Sequence, residues 1–110
     1  MSDPLFDRVI REVLQELTPD LRAALASVQI VVQEKPGGEL LGLFEGVSLR
    51  ESPLHEERLF PDRITLFEDN LKKSYDNRQE LARQIRLTLL HELGHFFGFS
   101  EKELKDRGYE

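Results

Sequence analysis

The sequence predicts an α+β fold in one small domain, residues 1–110, on three observations. Residues 4–17 and 77–97 carry apolar side chains at helical spacing, which puts helices near both ends of the chain. Between them, "QIVVQEK" and "DRITLFED" are short, rich in β-branched residues and bounded by turn formers or polar residues, as strands are. A length of 110 residues supports one hydrophobic core without staples, and leaves little for a second lobe.

The elements follow in order. Asp3-Pro4 is a helix start, with Pro4 at the first helical position. Leu5, Val9 and Val13, with Phe6, Ile10, Leu14 and Leu17, make one apolar face. Thr18-Pro19 interrupts, and Asp20 to Ser27 reads as a second short helix. Gln29 to Lys35 reads as a strand that Pro36-Gly37-Gly38 ends. "LLGLFEG", Leu40 to Gly46, is apolar and fits a strand, although its two glycines also allow a loop. Arg50 to Pro61, polar and with two prolines, reads as a long surface loop. Asp62 to Asp69 alternates as a strand does, and Asn70 to Asp76 reads as a connection. Asp76 or Asn77 then caps a long helix running to about Phe97.

That helix carries the chemistry. At 100° per residue, Ala82, Ile85, Leu89, Leu93 and Phe96 share a face that reads as the core side. Gln84, Thr88, His91 and His95 share roughly the opposite face, with Leu87, Leu90 and Phe97 on the flanks. The C-terminal half is therefore apolar nearly all round. Its histidines should line a partly enclosed space.

Composition excludes several classes. There is no cysteine, hence no disulfide framework, thiolate metal site or cysteine nucleophile. The formal net charge of −6 argues against a large nucleic-acid footprint, which needs a clustered basic patch. No segment approaches the roughly 18 continuous apolar residues of a bilayer span. The charged start "MSDPLFDRVIREVLQEL" lacks the uncharged apolar core of a signal peptide. The expectation is a soluble, cytoplasmic protein with no nucleic-acid or membrane partner.

"TLLHELGHFFGFSEKEL", Thr88 to Leu104, contains H-E-x-x-H as His91, Glu92 and His95. Imidazoles four residues apart on a helix point the same way and can share one zinc ion at about 2.0–2.1 Å each. Glu92 is turned about 100° from His91, so it tends to miss the ion but can reach water bound to it. Zinc lowers the pKa of such a water toward about 7, and a carboxylate beside it can take a proton and pass it to a leaving amine. A buried histidine is more often a hydrogen-bonded core residue than a ligand. Against that, the three specified residues arise by chance only on the order of once in several hundred chains of this size. Two of the three histidines fall in the motif; His55, in the polar loop, reads as solvated.

Two histidines leave a zinc site incomplete. Gly98 can end the helix in a left-handed turn, and Glu101, just beyond it, can swing back as the third ligand. The bland alternative is that Ser100 and Glu103 form a capping box and Glu101 faces the positive end of a short last helix. The two are compatible. Glu103, already employed in the cap, is the weaker ligand candidate. Glu45, Asp62 and Glu68 are further carboxylates to consider.

"LLGLFEGVSL", "LFPDRITLFED" and "TLLHELGHFFGFSEKEL", in that order, make the chain resemble the small bacterial zincin-like proteins, or minimal metallopeptidases. The resemblance covers most of the chain. It implies a zincin fold, with the H-E-x-x-H helix packed on a small mixed sheet and on the N-terminal helices, and a zinc metallopeptidase activity. The spacing H-E-x-x-H-x-x-G-x-x-E is also similar to the metzincin pattern. That similarity implies His91 and His95 as ligands, Glu92 as general base and Glu101 at the third-ligand position. Glutamate replaces the usual histidine or aspartate there, and the only methionine is Met1, so no Met-turn lies beneath the metal.

The leading expectation is thus a zinc-dependent peptidase acting on an extended peptide or protein segment that adds as a strand to a sheet edge, supplied by "DRITLFED" or "LLGLFEG". Tyr75, Tyr109 and Arg86 are candidates for oxyanion stabilisation. The alternative is a metal-binding structural or partner-binding module with little turnover. A third reading, from endoribonucleases with a related three-histidine motif, is disfavoured by the acidic balance and by the glutamate at the third position.

Overall fold

The computed structural model describes residues 3–34, 38–46, 48 and 62–108. Among these, the elements are α1 (Pro4–Glu16), α2 (Pro19–Ala24), a 3-10 turn (Leu25–Ser27), β1 (Val28–Gln33), β2 (Gly42–Glu45), β3 (Asp62–Phe67), α3 (Glu68–Ser74), α4 (Arg78–Phe97) and α5 (Glu101–Asp106). The expected α+β architecture is present. The surface loop expected over residues 50–61, with His55, lies outside the described residues.

Local chemistry sets the helix limits. Asp3 caps α1 by accepting the Leu5 N–H at 3.0 Å, with Pro4 at the first position. The last carbonyls of α1 are met by one guanidinium: Arg22 donates to Leu14, Gln15 and Leu17 at 3.1, 3.0 and 3.2 Å. Asn77, not Asp76, caps α4 through the Glu80 N–H at 3.0 Å. At the other end Gly98 takes φ 81°, the left-handed turn that a side chain resists. Residues 70–76 are not the simple connection expected. Asn70 to Ser74 belong to α3, because Leu71 has a core to enter and Glu68, Asp69, Lys72 and Lys73 bring the right charges to its two ends.

The three strands form a mixed sheet in the order β1-β3-β2, with β1 parallel and β2 antiparallel to β3. β3 is therefore central, which is why five of its six residues are buried. "DRITLFED" accordingly cannot offer an open edge; among the described residues the edges belong to β1 and β2. The segment leading into β2 is pinned by Asn70, whose side-chain amide donates to the carbonyls of Gly38 and Leu40 at 3.0 and 2.7 Å.

α1 lies against α4, and α4 also meets β2 and β3. The shared core holds Phe6, Val9 and Val13 from α1, Ile64 and Leu66 from β3, and Leu81, Ile85, Leu89, Leu93 and Phe96 from α4. Leu81 is buried where the helical wheel had placed Ala82, which is only partly buried. α5 docks through Leu104, which is fully buried. It sits so close to α4 that a Cβ on Gly94 would meet Leu104 Cδ2 at 2.0 Å. One carboxylate ties the helix starts together: Asp3 holds Arg78 by two bonds of 2.6 and 3.0 Å, with Lys72 at 3.6 Å.

Two outcomes follow from this packing. Gly94→Ala should destabilise the domain by about 1–3 kcal/mol through overpacking, and Leu104→Ala in the same chain should relieve that clash. A denaturant cycle over both single variants and the double variant checks it: additive losses would refute the contact. Second, the Arg78 guanidinium holds the Asp3 carboxyl well below the usual carboxylate range. Its contribution is then fully present above about pH 4, the unfolded value, and drains away as pH falls toward the lower folded value. Asp3→Asn keeps a capping residue but not the charge. Its stability should trail the wild type at neutral pH and converge with it in strong acid, as read by denaturant midpoints at several pH values.

Candidate metal centre

The last three turns of α4 carry His91, Glu92 and His95, and their ligand atoms all lie within 4.8 Å of one another. The two Nε2 atoms are 3.1 Å apart, with the rings nearly perpendicular at 83°. This is the outcome of i,i+4 spacing on a regular helix. Both histidines are half-buried, while Glu92 is 9 % exposed. One ion at about 2.0–2.1 Å from each nitrogen can span that separation. Two imidazoles, completed by oxygen donors, form a donor set that suits zinc, so the residues fit such an ion.

Glu92 stands between the histidines and β2. The main-chain N–H of Phe44 faces its carboxylate and favours the charged form. Burial pushes its carboxyl above the ordinary glutamate value, against the opposing pull of His95, His91 and that N–H. The approach of β2 is close because residue 42 is glycine. A Cβ there would meet Thr88 Cγ2 at 2.6 Å and Glu92 Cγ at 3.3 Å. Beside this contact an open groove of about 310 Å³ runs along Leu41, Gly42, Gln84, Leu87 and Thr88 to His91 and Glu92.

Glu101 begins α5, exposed and outside the group of three. Glu103 is in the expected capping box: Ser100 Oγ accepts the Glu103 N–H at 3.2 Å, and Glu103 Oε1 accepts the Ser100 N–H at 2.9 Å. Of the remaining carboxylates, Glu45 is exposed at the end of β2 and Asp62 is buried at the start of β3. Glu68 is buried and accepts the Asp3 N–H at 3.0 Å. None of them joins the histidine group. Arg86 is engaged with Glu16 of α1, and Tyr75 packs on the core after α3. Tyr109 lies outside the described residues.

Sequence reasoning did not find the partners of Glu92. Thr88 was placed on the histidine face, but nothing linked it to Gly42, and the Phe44 donor is a main-chain group that any residue but proline supplies. The available signal was Gly42 itself, since glycine inside a strand often marks a close backbone approach.

A search of curated proteins found no match to the chain. A family model described as zincin-like metallopeptidase matches residues 22–109. The matched stretch begins inside α2 and includes the sheet, the whole of α4 with His91, Glu92 and His95, and α5. The chain belongs to the zincin-like metallopeptidase family.

Proposed function

We propose that the protein is a zinc-dependent peptidase in which His91 and His95 hold the metal and Glu92 is the general base. The observation that carries this reading is the convergence of these three side chains beside an edge strand and a groove. Bound zinc would supply a Lewis acid that makes a water nucleophilic near neutral pH. Glu92 takes a proton from the attacking water and delivers it to the leaving amine. Its burial suits the role, because a carboxyl raised toward neutrality is a better base. The substrate is an extended peptide or protein segment lying along the outer edge of β2, with the groove receiving one of its side chains.

Glu101 is proposed as the third protein ligand. Its support is position: it follows the Gly98 turn directly, is exposed and makes no part of the capping box. Because it stands outside the histidine group, the second reading, a metal-binding module with little turnover, is favoured if Glu101 does not ligate.

Calorimetry at pH 7.5 should find about one zinc per chain, bound through nitrogen and oxygen donors. Glu92→Gln should retain the metal while cutting peptide hydrolysis by roughly 10²-fold or more. Intact hydrolysis in that variant would remove Glu92 from the mechanism. Metal binding with no hydrolysis of any peptide by the wild type would favour the binding module.

Titrations of two further variants separate ligand from cap. Glu101→Ala should weaken zinc by at least the 10- to 100-fold seen on loss of a supporting partner. Glu103→Ala should keep zinc affinity and lose about 0.5–2 kcal/mol of stability with its cap. Unchanged affinity in Glu101→Ala would exclude it as a ligand.

A further inference from the structure

β1 is the sheet edge opposite β2, and its sequence reads nearly the same in both directions. Gln29-Ile30-Val31-Val32-Gln33 is symmetrical about Val31, with a β-branched aliphatic residue one position away on each side and a glutamine two away. Among the described residues β1 pairs with β3 alone, in an unbroken parallel register over Val28 to Gln33. Edge strands are commonly guarded by a charge, a proline or a bulge. β1 has none of these within its six residues. Its exposure alternates, so Ile30 and Val32 turn toward α1 while Val31 turns to the other face, where it is 38 % exposed. On the helix side lies an open groove of about 610 Å³. Ile10, Ile30 and Val32 form its apolar floor, and Asp7 and Arg11 of α1 form its charged wall. The Arg11 Nε donates to the Asp7 main-chain carbonyl at 3.4 Å, which leaves the Asp7 carboxylate out of that bond.

We propose that the occupant of this edge is a second copy of the chain, the two β1 strands pairing antiparallel about a twofold axis through Val31. A twofold interface must be self-complementary, because the same patch serves both copies. β1 meets that demand in its sequence. Gln29 falls opposite Gln33 of the second copy, Ile30 opposite Val32, and Val31 opposite its own counterpart. On the helix side, β-branched pairs then continue the apolar floor of the groove. On the other face the exposed Val31 is covered by its mate. A slip of one residue would set glutamine against valine and put the two α1 helices on opposite faces of the sheet. Charge agrees with the same register. The axis stands perpendicular to the sheet, so the two α1 helices share one face and run antiparallel across it. Asp7 and Arg11 are about one turn apart on α1, so the acid of each copy meets the base of the other. The joined sheet has six strands, and both histidine centres stay beside its outer strands, the two copies of β2. The association is independent of the peptidase reading.

Sedimentation equilibrium of the whole chain between roughly 1 μM and 1 mM should show one chain passing to two. A single chain throughout that range overturns the proposal. Growth beyond two also overturns it, because a twofold joint closes. The chain has no cysteine, so single cysteines report the register. Residues directly opposite in an antiparallel pair have Cα atoms about 4.5–5.5 Å apart, within disulfide range. Val31→Cys should therefore cross-link to a dimer under mild oxidation. Gln29→Cys, exposed on the same face, should cross-link at least about tenfold more slowly, since four residues, or roughly 13 Å of strand, separate it from its own mate. Equal rates would signal random collision and refute the pairing. Val31→Lys sets like charges against each other at the axis and should weaken association at least about tenfold; an unaffected dimer would place the interface elsewhere. A charge swap guards against variants that merely misfold. Asp7→Arg and Arg11→Asp should each weaken the dimer, and the double variant should recover it to within about threefold. Singles that associate as the wild type does, or a double variant as weak as the singles, would refute the antiparallel arrangement of α1.

Discussion

A side chain at residue 42 would have to occupy space already taken by the Thr88 methyl group and the stem of Glu92. The distance between β2 and α4 is set by that absence, and the surroundings of the histidines are set by the distance. With the strand this close, Glu92 is screened from water on one side and comes within reach of a main-chain donor. The groove beside Gly42 takes its walls from the same approach, with Leu41 on the strand and Leu87 and Thr88 on the helix. A bulkier residue would lift β2, wet Glu92 and widen the groove together. One missing methyl group thus couples three properties that otherwise vary independently.

The rest of α4 has the complementary task of keeping polar groups where the chain is most apolar. Burying a carboxyl without partners costs several kcal/mol, which is why such groups are found bonded or shifted toward their neutral form. Glu92 shows the second response, a carboxyl pushed above its ordinary value. The histidines, half-buried, keep one side toward the open part of the site. Leu89, Leu93 and Phe96 hold the opposite face rigid against the sheet and α1. The site is therefore carried by the best-packed element of the domain, and its geometry does not depend on a loop.

What could be read from the sequence was whatever depends on neighbours along the chain. The caps at Asp3, Asn77 and Ser100, the left-handed turn at Gly98 and the convergence of His91 and His95 are all properties of a few consecutive residues. Each was legible for that reason. α3 was not, because its seven residues have weak helical periodicity and gain their place through Leu71, which needs a core assembled from distant segments. The centrality of β3 was also hidden: alternation identifies a strand but not its neighbours, and parallel pairing with β1 is a tertiary fact. At the site, side chains four apart could be paired by counting. The contact of Gly42 with Thr88 and Glu92 joins residues on different elements, so no periodicity along the chain records it.

The clamp between Asp3 and Arg78 joins residues 75 apart, and the face of α1 that it positions is buried largely by α4. During synthesis α1 emerges well before α4, its main packing partner. Leu5, Phe6, Val9 and Val13 must then wait, uncovered on that side, until α4 has emerged. Contacts that span a chain in this way slow folding and lengthen the life of sticky intermediates. The parallel pairing of β1 with β3 imposes the same delay on the sheet. This small domain is consequently an all-at-once assembly, and a ribosome-stalled nascent chain ending before α4 should present its first helix to chaperones.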